Sequence, residues 1–282
     1  MKKWNLIVDV PKCSNCNNCT MAVKDEYIGN EFIGYSAPQP ENGHDWITID
    51  RHIRGNDSMV DVNYVPRTCN HCDNAPCVAA GQGAVTKRQD GIVMIDPVKA
   101  KGRKDLVGSC PYGAIWWNGA LELPQQWTFD AHLLDAGWPQ PRCAQACPSG
   151  AMRAIKVGDK EMAALVKEEN IQVLKPELNT HPRVYYRGLE KVTHNFLGGN
   201  VAMQRPEGGV DNVEGAVVEL TLDGTRAPLR ARTDAYGDFK FDGLKGIGET
   251  YSIRIDYAQG RVIERSGVLK GSQYLGTIEV EA

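Results

Sequence analysis

A chain of 282 residues is long enough for two domains, each with its own core. A net charge of −3 and a mean hydropathy of −0.39, with no apolar run long enough to cross a membrane, argue against a nucleic-acid partner and a membrane anchor. The nine cysteines are an odd number and all lie between Cys13 and Cys147, which points to metal or redox chemistry rather than a disulfide framework.

The opening, "MKKWNLIVDVPKC", alternates like a β-strand. It lacks the apolar centre of a secretory signal and a twin arginine, so a cytoplasmic location is expected. "CSNCNNC" then supplies Cys13, Cys16 and Cys19, the C-x2-C-x2-C half of a bacterial ferredoxin motif. Its fourth place, four residues on, holds Val23. "CNHCDNAPC" supplies Cys69, Cys72 and Cys77, and the following "CVAAGQGAV" has Ala80 or Gly81 where a fourth cysteine belongs. In "DPVKAKGRKDLVGSCPYGA" only the last cysteine of a motif survives, Cys110, with Leu106, Arg103 and Ala100 at the places of the other three. "CAQACPSGA" gives Cys143 and Cys147, and Trp127 and Asp130 stand where a preceding C-x2-C would be.

Farther on, "GDKEMAALVKEEN" reads as a short helix with Met162, Leu165 and Val166 on one face. A proline-containing connection, "KPELNTHPRVYYRGLE", follows it. After about Gly198 the chain becomes a series of period-2 strands between glycine and aspartate turns: "GAVVELTLDG", "APLRARTDAYGDFKFDGL", "ETYSIRIDYAQGRVIERSG" and "QYLGTIEVEA". The expected fold class is α+β. A duplicated bacterial-ferredoxin-like iron–sulfur domain with short loops, with its connecting segment, takes residues 1–197. A small all-β sandwich of the transthyretin or Cna-B kind takes residues 198–282 and serves packing or docking.

In a two-cluster ferredoxin the fourth cysteine of each motif ligates the other cluster. If the first motif pairs with the fourth and the second with the third, two complete four-thiolate sets emerge. Cys13, Cys16, Cys19 and Cys147 would hold one 4Fe–4S cluster, and Cys69, Cys72, Cys77 and Cys110 a second. The partner cluster of each pair has lost its ligands together, which explains why Cys110 stands alone and leaves Cys143 as a small buried residue. Zinc is the rival for C-x2-C pairs, but zinc ribbons do not usually show C-x2-C-x2-C with a distant Cys-Pro. His71, between two ligands, is expected to donate to cluster sulfur rather than to ligate. Lys99, Lys101, Arg103 and Lys104 are expected on a solvated loop, and Trp116 and Trp117 in the core near the clusters. No catalytic motif is present: no phosphate loop, no nucleophile elbow, no HExxH.

These motifs, with "GIVMIDPVKAKGRK" and "AHLLD", resemble the four-cluster iron–sulfur subunits of the dimethyl sulfoxide reductase superfamily of molybdenum enzymes. More narrowly, nearly the whole chain, including "KPELNTHPRVYY" and the β-rich tail, is similar to the small subunits of pyrogallol–phloroglucinol transhydroxylase and resorcinol hydroxylase. The resemblance implies a large catalytic subunit holding a molybdenum bis-pterin guanine dinucleotide centre, in a heterodimer or a multiple of it. It also implies an electron-transfer role for this chain, with no active site of its own. The erasure of one cluster in each pair favours a redox-neutral transhydroxylation over a hydroxylation that exports electrons to an external acceptor. A mainly structural role, with the clusters bracing the fold, is the other class.

Overall fold

The computed structural model describes residues 1–224, 227–258 and 260–281. Thr225, Arg226, Gln259 and Ala282 lie outside the described residues, Gln259 within the expected strand stretch "ETYSIRIDYAQGRVIERSG" and Ala282 at the end of the expected second domain. The chain divides into two compact units, Met1–Arg51 with Tyr64–Leu189, and His52–Asn63 with Glu190–Ala282. The division expected between 197 and 198 thus falls between 189 and 190. The reason is the strand Asn195–Gln204, which spans the expected boundary and belongs wholly to a sheet of the second unit. The second unit also takes residues 52–63 from a hairpin whose strands are Thr48–Asn56 and Met59–Arg67.

The first unit is built on a four-stranded sheet in the order Met152–Gly158, Lys2–Asp9, Val184–Arg187, Ile171–Gln172. Lys2–Asp9 runs antiparallel to Met152–Gly158 and parallel to Val184–Arg187. Flanked on both sides, it buries an unbroken run from Asn5 to Asp9, as a central strand does. The buried Asn5 is satisfied: its amide donates to Lys3 O at 2.8 Å and its Oδ1 accepts from Arg183 Nη1 at 3.1 Å. The helix Asp159–Glu168 follows the strand Met152–Gly158, with Met162 buried against Ile7 and Ile171 and with Leu165 and Val166 packed beside it. Two short hairpins, Val85–Lys87 with Val93–Ile95 and Trp116–Asn118 with Leu123–Gln125, complete the unit's sheets.

The second unit is mostly β; among its described residues the only helix is Glu190–Thr193. In one sheet Asn195–Gln204 pairs with Val210–Asn212 and Asp238–Leu244 antiparallel and with Gln273–Val280 parallel. In the other the order is Leu229–Arg232, Val217–Leu222, Thr250–Ala258, Arg261–Val268. Burial alternates along Val217–Leu222 and Thr250–Ala258, and one apolar core draws on both sheets, with Leu197, Val201, Phe239 and Ile278 from the first and Val218, Leu220, Ile253 and Ile255 from the second. Hydrophobic burial of this cluster is the main source of the unit's stability.

Candidate iron–sulfur sites

The first cysteine group follows directly from the strand Lys2–Asp9. A 3-10 turn, Val10–Lys12, carries Pro11 in its first turn, and the loop from Cys13 to Asn17 then leads into the helix Asn18–Tyr27. Asn15 and Asn17 adopt left-handed backbone angles, φ 58° and 61°, which asparagine tolerates better than other non-glycine residues. The chain can therefore coil tightly and turn three thiols toward one place. Gly188 is fixed from the other side: its φ is +72°, and a Cβ there would stand 2.4 Å from Pro11 Cδ. Cys147 follows the short helix Arg142–Gln145, which packs against Asn18–Tyr27.

The thiols themselves report their neighbours. Burial raises the Cys13 thiol, the backbone amide of Asn15 offsets part of this, and Cys147 and Cys16 add to the rise. Cys19 is pushed up to about 11, chiefly by burial; hydrogen bonds from Thr20 oppose this, while Cys13 and Cys147 reinforce it. Cys13, Cys16, Cys19 and Cys147 are thus electrostatic neighbours, although Cys16 is exposed and Cys19 buried.

The second group forms likewise. His71, between Cys69 and Cys72, takes a left-handed φ of 45°. Pro76 opens the helix Pro76–Gly81, where its missing N–H costs nothing, and Cys77 follows it. Burial drives Cys69 far above the ordinary thiol range, Cys77 and Cys110 add to this, and the His71 amide, 3.5 Å from Cys69 Sγ, counters it. Cys77 rises to about 11, through burial first and then Cys110 and Cys72. The Ala114 amide points at Cys110 Sγ from 3.4 Å. Lys87 ties the loop down: its Nζ donates to His71 O at 2.9 Å, Cys72 O at 2.8 Å and Gly91 O at 2.8 Å and pairs with Asp73.

Each group is chemically suited to an iron–sulfur cluster. Crowded thiols such as Cys13 and Cys19 in one group and Cys69, Cys72 and Cys77 in the other, whose pKa burial and neighbouring sulfurs raise, need a polycationic centre to become ligands. Backbone N–H groups already aim at several of the sulfurs, Cys13, Cys69 and Cys110 among them. His71 Nδ1 accepts from the Val93 amide at 3.1 Å, so the ring proton of the neutral imidazole sits on Nε2, which is buried and has no partner among the described residues. A sulfur acceptor would satisfy it. Among the described residues no three His, Cys, Asp or Glu side chains gather to hold one metal ion. A cubane takes one thiolate per iron, so its ligands stand at separate corners rather than around one point.

The motif positions that lack a cysteine are filled in two different ways. At the third motif Ala100 and Leu106 are fully buried in an apolar core with Val85, Val93, Ile95 and Ile115. Arg103 leaves this core, pairs with Asp105 and donates to Ala80 O at 3.0 Å. At Gly81 a Cβ would lie 2.7 Å from Val85 Cβ, so no side chain fits there. At the fourth motif a polar knot has formed instead. Asp130, wholly buried, accepts from Tyr27 Oη and Trp127 Nε1, both at 2.9 Å, and from the Arg142 amide at 2.7 Å. Burial nonetheless raises its carboxyl above the usual range. Cys143 is fully buried, its thiol driven far up by burial, then by Asp130 and Cys19. Trp127 stacks on Phe129 at 4.7 Å, and His71 meets both rings edge-on.

Some of these residues carry no motif signal. Tyr27, Thr128, whose Oγ1 lies 2.7 Å from Tyr27 Oη, Phe129 and Lys87 are visible as site residues only once distant segments meet. Trp116 and Trp117, expected in the core, are half-exposed: Trp116 stacks on His44 at 5.6 Å, and Lys104 lies over Trp117 at 5.8 Å. Among the described residues their strand, Trp116–Asn118, pairs with Leu123–Gln125 alone. Of the basic run, Lys99, Lys101 and Lys104 are exposed.

The 4Fe-4S dicluster domain family matches residues 60–157. The pyrogallol hydroxytransferase small subunit of Pelobacter acidigallici is 44% identical over 259 residues, covering 91% of each chain. A tetrathionate reductase subunit of Salmonella typhimurium is 32% identical, covering 67% of this chain and 73% of its own. The arsenate respiratory reductase iron–sulfur subunit of a Shewanella species is 28% identical, over 65% of this chain and 95% of its own. Among the described residues no helix is long and apolar enough to cross a membrane. With its cysteine pattern and this breadth of similarity, the chain belongs to the family of iron–sulfur electron-transfer subunits of molybdenum enzymes, as a relative of the pyrogallol hydroxytransferase small subunit.

Proposed function

We propose that the chain carries two 4Fe–4S clusters, one on Cys13, Cys16, Cys19 and Cys147 and the other on Cys69, Cys72, Cys77 and Cys110. The supporting observation is that these eight thiols form two sets of electrostatic neighbours while the residues at the erased ligand positions are packed into an apolar core and a polar knot. Each cluster, when bound, supplies a one-electron couple. The residues around it do the rest: the Asn15 and His71 loops turn the thiolates inward, Lys87 anchors the second loop, and backbone amides donate to sulfur. The fold reading that goes with this is a duplicated ferredoxin-like domain followed by a β-sandwich, in the cytoplasm.

The partner in this reading is a large subunit with a molybdenum bis-pterin guanine dinucleotide centre, and the reaction is transfer of a hydroxyl between polyhydroxybenzenes. Such a transfer has no net redox change, so the clusters need only hold electrons briefly or tune the metal centre. The relative acting on pyrogallol supports that substrate class. Two packed-in cluster sites argue against a long relay to an external acceptor. The test is anaerobic turnover by the purified complex with a polyphenol co-substrate and no oxidant. Product should form. Product that appears only with an added electron acceptor would identify a resorcinol-type hydroxylase instead, and clusters that substrate never reduces would identify a structural brace.

A further inference from the structure

Residues 127–130 stand where a C-x2-C pair of the fourth motif would be, and their side chains reach the elements that bear both cysteine groups. Trp127, Phe129 and Asp130 are fully buried. On one side they meet His71, which sits between Cys69 and Cys72. Its ring centre is 5.6 Å from that of Trp127 and 5.3 Å from that of Phe129, edge-on to both, and the two larger rings stack at 4.7 Å. On the other side Trp127 Nε1 and Tyr27 Oη both donate to Asp130 Oδ1 at 2.9 Å. Tyr27 ends the helix Asn18–Tyr27, whose buried residues Cys19, Val23 and Tyr27 recur every four positions and so share one face. Asp130 Oδ2 accepts from the Arg142 amide at 2.7 Å, at the start of the short helix Arg142–Gln145 that packs on Asn18–Tyr27 and leads to Cys147.

A run of covalent bonds and hydrogen bonds, with a through-space step at the His71 ring, therefore leads from the Cys69–Cys72 loop to the helix that bears Cys19 and the turn that bears Cys147. Electron tunnelling decays much more steeply across a van der Waals gap than along covalent or hydrogen bonds, so connected packing sets the rate at a given separation. We propose that Trp127, Phe129 and Asp130 form a tunnelling bridge that couples the two cysteine-bound clusters through the place of the absent fourth-motif cluster. The inference rests on the two-cluster reading above. An electron that crosses leaves one cluster oxidised and the other reduced by the same amount; the bridge residues stay closed-shell and no proton moves. Asp130 acts as a positioning residue, holding the indole N–H of Trp127 to Tyr27 and to the Arg142 amide. The consequence is one shared electron pool, which suits brief storage during a hydroxyl transfer with no net redox change.

The experiment follows an electron in the anaerobic complex, first oxidised and then given a substoichiometric dose of a viologen radical by pulse radiolysis. Rapid-freeze EPR separates the two cluster signals, and iron content and both reduction potentials are measured on the same samples. In the wild type the electron should redistribute from the cluster reduced first to the one of higher potential. That rate should fall severalfold in Trp127→Leu, which removes both the ring and the donor to Asp130. It should fall less in Trp127→Phe, which keeps a ring against His71 and loses only the hydrogen bond. Iron and potentials should stay at wild-type values, which separates the bridge from a merely structural role. An unchanged rate in Trp127→Leu with iron and potentials intact overturns the bridge. If Trp127→Leu loses iron or shifts a potential, Trp127→Phe decides by the same criterion. A wild-type complex that shows both signals but passes no electron between them also overturns the bridge. A wild-type complex with a single cluster signal overturns the two-cluster reading instead, and the bridge with it.

Discussion

Replacing Asp130 by alanine leaves Trp127 Nε1 and the Arg142 amide without their acceptor, while Tyr27 Oη keeps Thr128 Oγ1 at 2.7 Å. A buried donor left without a partner costs about 1–3 kcal/mol. Two of them cost about 2–6 kcal/mol, and relief from burying the carboxyl itself keeps the net to roughly 2–4 kcal/mol. For a unit of this size each kcal/mol lowers the melting temperature by about 2–4 °C, so the expected drop is roughly 4–16 °C. Asp130→Asn should cost less, about 1–3 kcal/mol, because its carbonyl can still serve Tyr27 and Trp127 while its amide faces the Arg142 N–H. The assay is thermal unfolding of the anaerobically purified protein, followed by tryptophan fluorescence. A loss below about 1 kcal/mol in Asp130→Ala would refute the view that this carboxylate organises the site of the erased fourth-motif cluster.

Three further outcomes follow from the same geometry. Cys147→Ser should lose about four irons per chain while Cys143→Ser keeps them all, and equal losses would make Cys143 a ligand. Leu106→Ala, in the apolar core that fills the third-motif site, should cost about 2–5 kcal/mol in denaturant unfolding with iron content unchanged; a loss of iron would mean that this core still supports a cluster directly. Burial pushes the Asp242 carboxyl up, but hydrogen bonds from Arg54 and Lys191 outweigh it and hold it far below the usual carboxylate range. Its stabilising contribution is therefore complete above the unfolded value of about 3.9 and fades as pH falls below it, so the gap in melting temperature between wild type and Asp242→Asn should close on acidification. A constant gap would show that these ion pairs do not titrate with folding.

How much of this is legible in the sequence depends on the range of each interaction. The iron–sulfur character is written locally, because C-x2-C-x2-C and Cys-Pro-x-Gly-Ala place ligands at fixed offsets in one loop. Strand alternation after Gly198 is equally local, since a strand with one buried face repeats every second residue. The Asp130 knot is not local: Tyr27 meets Asp130 from far upstream, and an aspartate in "TFDAHLLD" looks like any helix-start acid until the fold closes. The same holds for Lys87, whose three carbonyl partners come from the cysteine loop and a turn. The unit boundary differs from the expected one by eight residues because Asn195–Gln204 is a continuous strand that gives no turn signal before Gly198. Trp116 and Trp117 mislead for the opposite reason: large aromatic rings suggest a core, yet a two-stranded hairpin has a face left to solvent.

The most direct test of the two-cluster account is the iron and acid-labile sulfide carried per copy of this chain in the anaerobically purified complex, after subtraction of the large subunit's own content. The account predicts about eight of each. About four, about twelve, or zinc in stoichiometric amount would contradict it.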